Sequence, residues 1–328
     1  MKRVTRIWLL LIILPPLIGR GQVTSYGQHA DTLIFNSYGQ YCWAWIHLPG
    51  DWYTNPTKKH PLIFFLHGAG QAGSGEIGLD SLIATTMNGT AGAGPAWLIN
   101  QGDSMNFYNY ITHDTDKPII VSPQFSLYSA SGPYVDYMIS DLLYWKPGFG
   151  SRIDSNRISV TGLSAGGQGT YDEISGYDNN CSCYFGPLHK ITSAVIMSAA
   201  LNASNGEIPA FTHIISDSTY LWGMGDSVND IHGINTAAVV DDIHNYAGGA
   251  ASYLSPSYYL FPGAPGHCCW LAEYQPSFTQ VINGQSLNVY QFMLSHSLIG
   301  LTPAPPDSLH VYRQGNLIRH RGYKLKLN

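Results

Sequence analysis

A series of short, unbroken apolar runs constrains this chain more than any other feature. Pro61-Leu62-Ile63-Phe64-Phe65-Leu66, Pro118-Ile119-Ile120-Val121, Ala194-Val195-Ile196-Met197, Thr219-Tyr220-Leu221-Trp222 and Tyr258-Tyr259-Leu260-Phe261 each carry apolar residues at consecutive positions. A strand that reads this way is covered on both faces, as in a parallel sheet. Tyr41–Leu48 alternates and ends at Pro49-Gly50, and Arg157–Thr161 adds a further strand. Between these runs lie stretches with helical spacing: Leu79–Thr86, Val135–Trp145, the segment from Gly166 to Ile174, and Leu287–Leu298. Strands alternating with helices predict an α/β fold, a mostly parallel central sheet with helices on both faces. With 45% hydrophobic residues, the 328-residue chain has ample material for such a core.

The two ends differ from this body. Lys2, Arg3 and Arg6 precede an apolar stretch, Ile7–Ile18, and Gly19-Arg20-Gly21 offers small residues at a cleavage point. The pattern predicts a signal peptide over residues 1–21 and an exported protein. A membrane anchor is the alternative, but the run is shorter than the roughly 20 residues a span needs. Residues 22–298 are expected to form one catalytic-sized domain. Thr302-Pro303-Ala304-Pro305-Pro306 then reads as a linker, and the basic residues up to 328 as a solvated tail. Within 22–298 there are seven basic residues against twenty acidic ones, which argues against nucleic acid as a partner. Export permits disulfides among Cys42, Cys181, Cys183, Cys268 and Cys269. Cys181/Cys183 and Cys268/Cys269 are each too close to bridge internally without strain, and a cross-link between the two pairs is one open pairing.

The chemistry concentrates at Gly162-Leu163-Ser164-Ala165-Gly166, between the strand Arg157–Thr161 and a helix. A G-x-S-x-G turn at a strand-to-helix junction lifts a serine Oγ to the sheet edge and aims the next N–H at a developing oxyanion. Ser164 is the candidate nucleophile and the Ala165 N–H one oxyanion donor. The second donor is expected on His67-Gly68-Ala69-Gly70, after the strand Pro61–Leu66. We assign it to the Ala69 N–H, with Gly70 as the alternative. His67 itself is expected to hold this loop by hydrogen bonding. The base and its acid should follow in the order Ser, Asp, His. Gly223-Met224-Gly225-Asp226 follows one strand and Gly263-Ala264-Pro265-Gly266-His267 another, which selects Asp226 and His267. Asp230 competes for the acid, and His232 and His244 for the base; both histidines read as loop or surface residues. Gly73–Gly78 matches a dinucleotide fingerprint but lies too far from its strand and lacks the acidic partner. Asp226, Asp230, His232, Asp241, Asp242 and His244 show no metal-ligand spacing. No cofactor is implied.

These pieces together resemble the α/β hydrolases. More narrowly, they resemble the secreted serine esterases grouped with feruloyl esterases, polyhydroxybutyrate depolymerases and putative peptidases. The likeness rests on Pro61–Gly70, Gly94-Pro95, Val121-Ser122-Pro123-Gln124, Arg157–Tyr171, Gly223–Asp226, Gly266-His267-Cys268-Cys269-Trp270 and the closing helix. It implies the α/β-hydrolase fold, ester hydrolysis without a cofactor, and Ser164, Asp226 and His267 as nucleophile, acid and base. Cys268, the insert around Cys181 and Cys183, and the basic tail depart from the family pattern. The weakly charged, aromatic-rich body suits a carbohydrate-linked or aromatic ester rather than an anionic one.

Overall fold

The computed structural model describes residues 27–84, 93–126, 131–178, 181–201, 208–225, 230–246, 266–267 and 270–300, with short strands between 313 and 326. Seven strands build the central sheet: β1 (Gln28–Ile34), β2 (Tyr41–His47), β3 (His60–Leu66), β4 (Ile119–Gln124), β5 (Ile153–Leu163), β6 (Ser193–Met197) and β7 (Tyr220–Met224). Their spatial order is β1-β2-β4-β3-β5-β6-β7. β1 and β2 enter antiparallel, and every pairing from β4 to β7 is parallel. The helices that matter to the site are α1 (Pro95–Asn100), α2 (Gly132–Ser140), α3 (Ala165–Ser175), α4 (Ile208–Asp217), α5 (Ile231–Tyr246), α6 (Trp270–Glu273) and α7 (Val289–Leu294).

The continuous apolar runs split between the two faces of the sheet because strand side chains alternate. Leu62, Phe64 and Leu66 of β3 pack with Val135, Met138 and Ile139 of α2, Tyr171 and Ile174 of α3, and Val239, Val240 and Ile243 of α5. Ile63 and Phe65 point the other way, into Trp222, Trp270, Tyr274 and the α7 residues Tyr290, Phe292 and Met293. Each such side chain, taken fully out of water, contributes about 1.5–3 kcal/mol. Removal of these runs from water is what closes both faces.

Several expectations are refined. The helix expected over Leu79–Thr86 is two single turns, Gly75–Gly78 and Asp80–Ile83. The closing helix is shorter than its apolar stretch and begins at Asn288, whose side chain caps it in a reciprocal box with Gln291. α5 was not anticipated, although Thr236, Val239, Val240 and Ile243 follow helical spacing and are all buried. The strand expected at Tyr258–Phe261 and the N-terminal stretch lie outside the described residues. Past residue 312, Arg313–Gln314, Leu317–His320 and Tyr323–Lys326 pair antiparallel in a separate small sheet.

The cysteine expectation is corrected. Cys181 and Cys183 are bonded to each other, with Cα atoms 5.2 Å apart. Ser182 between them takes φ 51°, in the left-handed region, which turns the chain back on itself and permits the bridge. Cys42 is a free, buried thiol, and burial pushes its pKa up to about 12. Cys268 and Cys269 lie outside the described residues.

Candidate active site

Ser164 sits where β5 gives way to α3, with φ 54° and ψ −118°. That conformation is sterically unfavourable for any residue with a Cβ, and the surroundings enforce it. The Ser164 N–H donates to Met197 O at 2.9 Å, while Ser164 O accepts from the N–H groups of Gln168 and Ala200. The flanking glycines are required by contact. A Cβ on Gly166 would enter the carbonyl groups of Leu66 and His67, and one on Gly162 would enter Gly166 O. Helix α3 can therefore pack directly on the ends of β3 and β5 only with glycine at both places.

The structure brings His267 and Ser164 together. Its Nε2 lies 2.8 Å from Ser164 Oγ. Its Nδ1 lies 3.0 Å from a carboxylate oxygen, but the carboxylate belongs to Asp230. The structure thus places Asp230, the competitor on the same loop, at His267 where the sequence reading chose Asp226; Asp226 itself lies outside the described residues. The physical reason is the start of α5. Asp230 precedes the helix and caps it, accepting from the N–H groups of His232 at 3.2 Å and Gly233 at 2.9 Å. This fixes the carboxylate at a helix N-terminus, only 4% exposed, with one oxygen turned to His267. Burial works against its charge. The hydrogen bond and charge of His267 and the two backbone N–H donors outweigh burial and hold its pKa below the usual carboxylate range. The signal that could have found it is an aspartate immediately before an apolar pattern of helical period.

The imidazole is walled by two rings. Trp270 meets it edge-on with centroids 4.7 Å apart, and His232 lies tilted against it at 4.8 Å. His232 is therefore a neighbour of the base rather than the solvated loop residue expected.

Ala165 and Ala69 each open a helical segment, α3 and the 3₁₀ turn Ala69–Gln71, so neither N–H has an acceptor within its own helix. Gly68 brings the second turn against the first: a Cβ there would lie 3.5 Å from Ser164 Cβ and would overlap the Leu163 side chain. Ala69 and Ala165 thus lie just past the ends of the paired strands β3 and β5. His67 holds the turn as expected. It is 2% exposed, its Nδ1 donates to Gly68 O at 2.8 Å, and its Nε2 accepts from Phe125 N at 3.0 Å. Burial lowers its pKa despite the bond to Gly68, which keeps it neutral and suited to donate on one side and accept on the other. Among the described residues, no group of three His, Cys, Asp or Glu side chains is arranged to hold a metal ion.

Strand order, the serine elbow after β5 and a histidine–carboxylate pair delivered from loops beyond β7 together define the α/β-hydrolase fold. No protein-family profile and no curated protein matches the chain. Among solved structures it is similar to a thermostable esterase, with 20% identity, a TM-score of 0.50, and coverage of 76% of this chain and 60% of that one. The chain thus spans 60% of that esterase, less than two thirds of its length. A ferulic acid esterase is similar at 16% identity and TM-score 0.42, covering 76% and 95% of the two chains. An acylaminoacyl peptidase from Pyrococcus horikoshii is similar at 11% identity and TM-score 0.42, covering 74% and 38%.

Proposed function

We propose that this protein is an exported serine hydrolase that cleaves carboxylic esters through an acyl-enzyme. The observation that carries the reading is the continuous relay Ser164 Oγ, His267 Nε2, His267 Nδ1, Asp230 Oδ2, with links of 2.8 and 3.0 Å. Asp230 accepts from Nδ1, so the neutral imidazole presents its lone pair at Nε2 to the serine hydroxyl. His267 removes the Ser164 proton as Oγ attacks the acyl carbonyl. The Ala165 and Ala69 N–H groups receive the negative charge that forms on the carbonyl oxygen. The imidazolium, stabilised by Asp230, then protonates the leaving alkoxide. A water molecule repeats the sequence on the acyl-enzyme and frees the acid. Every step is supplied by side chains and backbone of this chain.

The chain's composition supports a choice of ester class. Only 11% of residues are charged, and 22 tyrosines and 8 tryptophans are present. A neutral, aromatic or carbohydrate-linked ester fits such a composition better than an anionic one. Export is supported by the basic-then-apolar N-terminus and by the Cys181–Cys183 bridge, since disulfides persist in oxidising compartments.

The test is labelling of purified protein by a fluorophosphonate, followed by a panel of aryl esters, feruloyl and acetyl sugars, and peptides. Labelling that vanishes in Ser164→Ala, with turnover of esters, supports the reading. Turnover of peptides alone would reassign it to a peptidase, and no labelling at all to a binding protein on this fold.

A further inference from the structure

The sequence stretch Val121-Ser122-Pro123-Gln124 ends β4, and the triad does not use it. Gln124 is 3% exposed, and its amide is wrapped by the loop that follows β3. Its Nε2 lies 2.5 Å from Gly78 O, 2.5 Å from Ser81 Oγ and 3.1 Å from Gln71 O. Ser81 Oγ in turn donates to Gln71 O at 2.7 Å. An amide and a hydroxyl thus converge on the carbonyl that closes the 3₁₀ turn Ala69–Gln71. The loop can approach this closely because Gly73 and Gly78 flank the amide, and a Cβ on either would collide with it.

The adjacent residue completes the bracket. Phe125 N donates to His67 Nε2, and Phe125 O accepts from Gly73 N at 2.9 Å. His67 holds Gly68 O, which also accepts from Gln71 N at 3.0 Å. The turn carrying the Ala69 N–H is therefore fixed at its start through His67 and at its end through Gln124. Both fixings come from consecutive residues at the end of β4, Gln124 in the strand and Phe125 directly after it. Gln124 Oε1 is buried with no hydrogen-bond partner. Burying an unpaired amide oxygen is unfavourable, and an apolar side chain filling the same space would avoid it. What the amide supplies in exchange is a fixed address for the turn.

We propose that Gln124 is a positioning residue for the oxyanion-binding turn, setting where the Ala69 N–H points relative to Ser164. The inference rests on the serine-hydrolase reading above. An oxyanion donor acts only when it is already in place within a few tenths of an ångström as charge develops. Losing the bracket therefore weakens transition-state binding and leaves ground-state binding largely intact.

The experiment compares wild type with Gln124→Glu, Gln124→Leu and Ser81→Ala on a soluble aryl ester. Glu keeps the shape but, ionised, has no proton to donate to the three acceptors. Ser81→Ala removes one of the two donors to Gln71 O and is the mildest change, which keeps the test open if a Gln124 variant does not fold. Removing an oxyanion donor outright costs about 10²–10³ in kcat. Displacing one is expected to lower kcat about 10–100-fold in the Gln124 variants and about 2–10-fold in Ser81→Ala, with KM within about threefold. The inhibition constant of a trifluoromethyl ketone, which forms a tetrahedral adduct on serine, should rise in proportion to the loss in kcat/KM. Folded Gln124 variants with kcat within about twofold of wild type, or a Ser81→Ala kcat equal to wild type, would overturn the inference. So would losses confined to KM, or an unchanged ketone affinity beside reduced kcat. A wild type that neither labels with fluorophosphonate nor turns over esters would instead remove the hydrolase reading itself.

Discussion

Asp230 holds two jobs at once, and substitutions can separate them. Its carboxylate caps α5 through the N–H groups of His232 and Gly233 and accepts from Nδ1 of His267. Asparagine is as good a helix cap as aspartate, so Asp230→Asn should change the cap by only a few tenths of a kcal/mol. It cannot remain a charged acceptor for Nδ1–H. If its amide turns toward the ring, the imidazole is held in the tautomer that presents N–H to Ser164. The serine-protease precedent puts that loss on the order of 10⁴ in kcat. Asp230→Ala removes both functions and should add about 1 kcal/mol of lost cap, a fall in Tm of roughly 2–4 °C for a domain of this size. The assay is kcat on an aryl ester beside a thermal melt for Asp230→Asn, Asp230→Ala and Asp226→Asn. The reasoning predicts a crippled, near-natively stable Asn variant, a crippled and less stable Ala variant, and an Asp226→Asn enzyme within about tenfold of wild type. Asp230→Asn retaining more than a tenth of wild-type turnover would refute the assignment, as would an equal loss in Asp226→Asn.

Ser164→Ala should fold normally and lose about 10³-fold or more in kcat, checked by turnover and by loss of fluorophosphonate labelling. Gly166→Ala should yield little soluble protein, because the added methyl enters the Leu66 and His67 carbonyl groups; soluble, active Gly166→Ala would show that the elbow has more room than described. Acid stability has a definite sign at His47, which is 5% exposed and whose pKa burial pushes down to about 4, against a hydrogen bond to Gly27. A histidine with a lowered folded pKa binds its proton more tightly when unfolded, so stability should fall as pH drops from about 6.5 toward 4, by about 3 kcal/mol at most. Denaturant melts of wild type and His47→Gln across that window should show a smaller slope in the variant; identical slopes would assign the acid loss to other groups. Asp230, whose pKa is also lowered, contributes in the same direction at lower pH, its stabilisation being lost as pH falls below the ordinary carboxylate range.

The local and the long-range parts of this protein were readable to different degrees. The elbow was legible because its cause is local: a strand, a tight turn and a helix within a few residues, with glycines where backbones touch. β3, β4, β6 and β7 were legible because burial on both faces leaves an unbroken apolar run. His267 and the His67 bracket could be chosen from their places at strand ends. The helix α5 was missed because Asp241, Asp242 and His244 drew attention to polarity while Thr236, Val239, Val240 and Ile243 carried the period. With α5 missed, Asp230 lost the feature that distinguishes it from Asp226, namely its place as a helix cap.

Sequence alone thus determined the α/β architecture and picked out Ser164, His267 and the turn after β3, since each depends on patterns spanning a few neighbouring residues. Only the tertiary structure decided which carboxylate completes the relay, where 37 residues separate Asp230 from His267. It alone decided that Cys181 closes on Cys183 through a left-handed Ser182, and that Gln124 and Phe125 grip the turn after β3 from a neighbouring strand. The physical reason is common to all three. Spacing limits which groups can meet, but the path of the intervening backbone, set by helix starts, positive φ and close packing, selects the one pair that does.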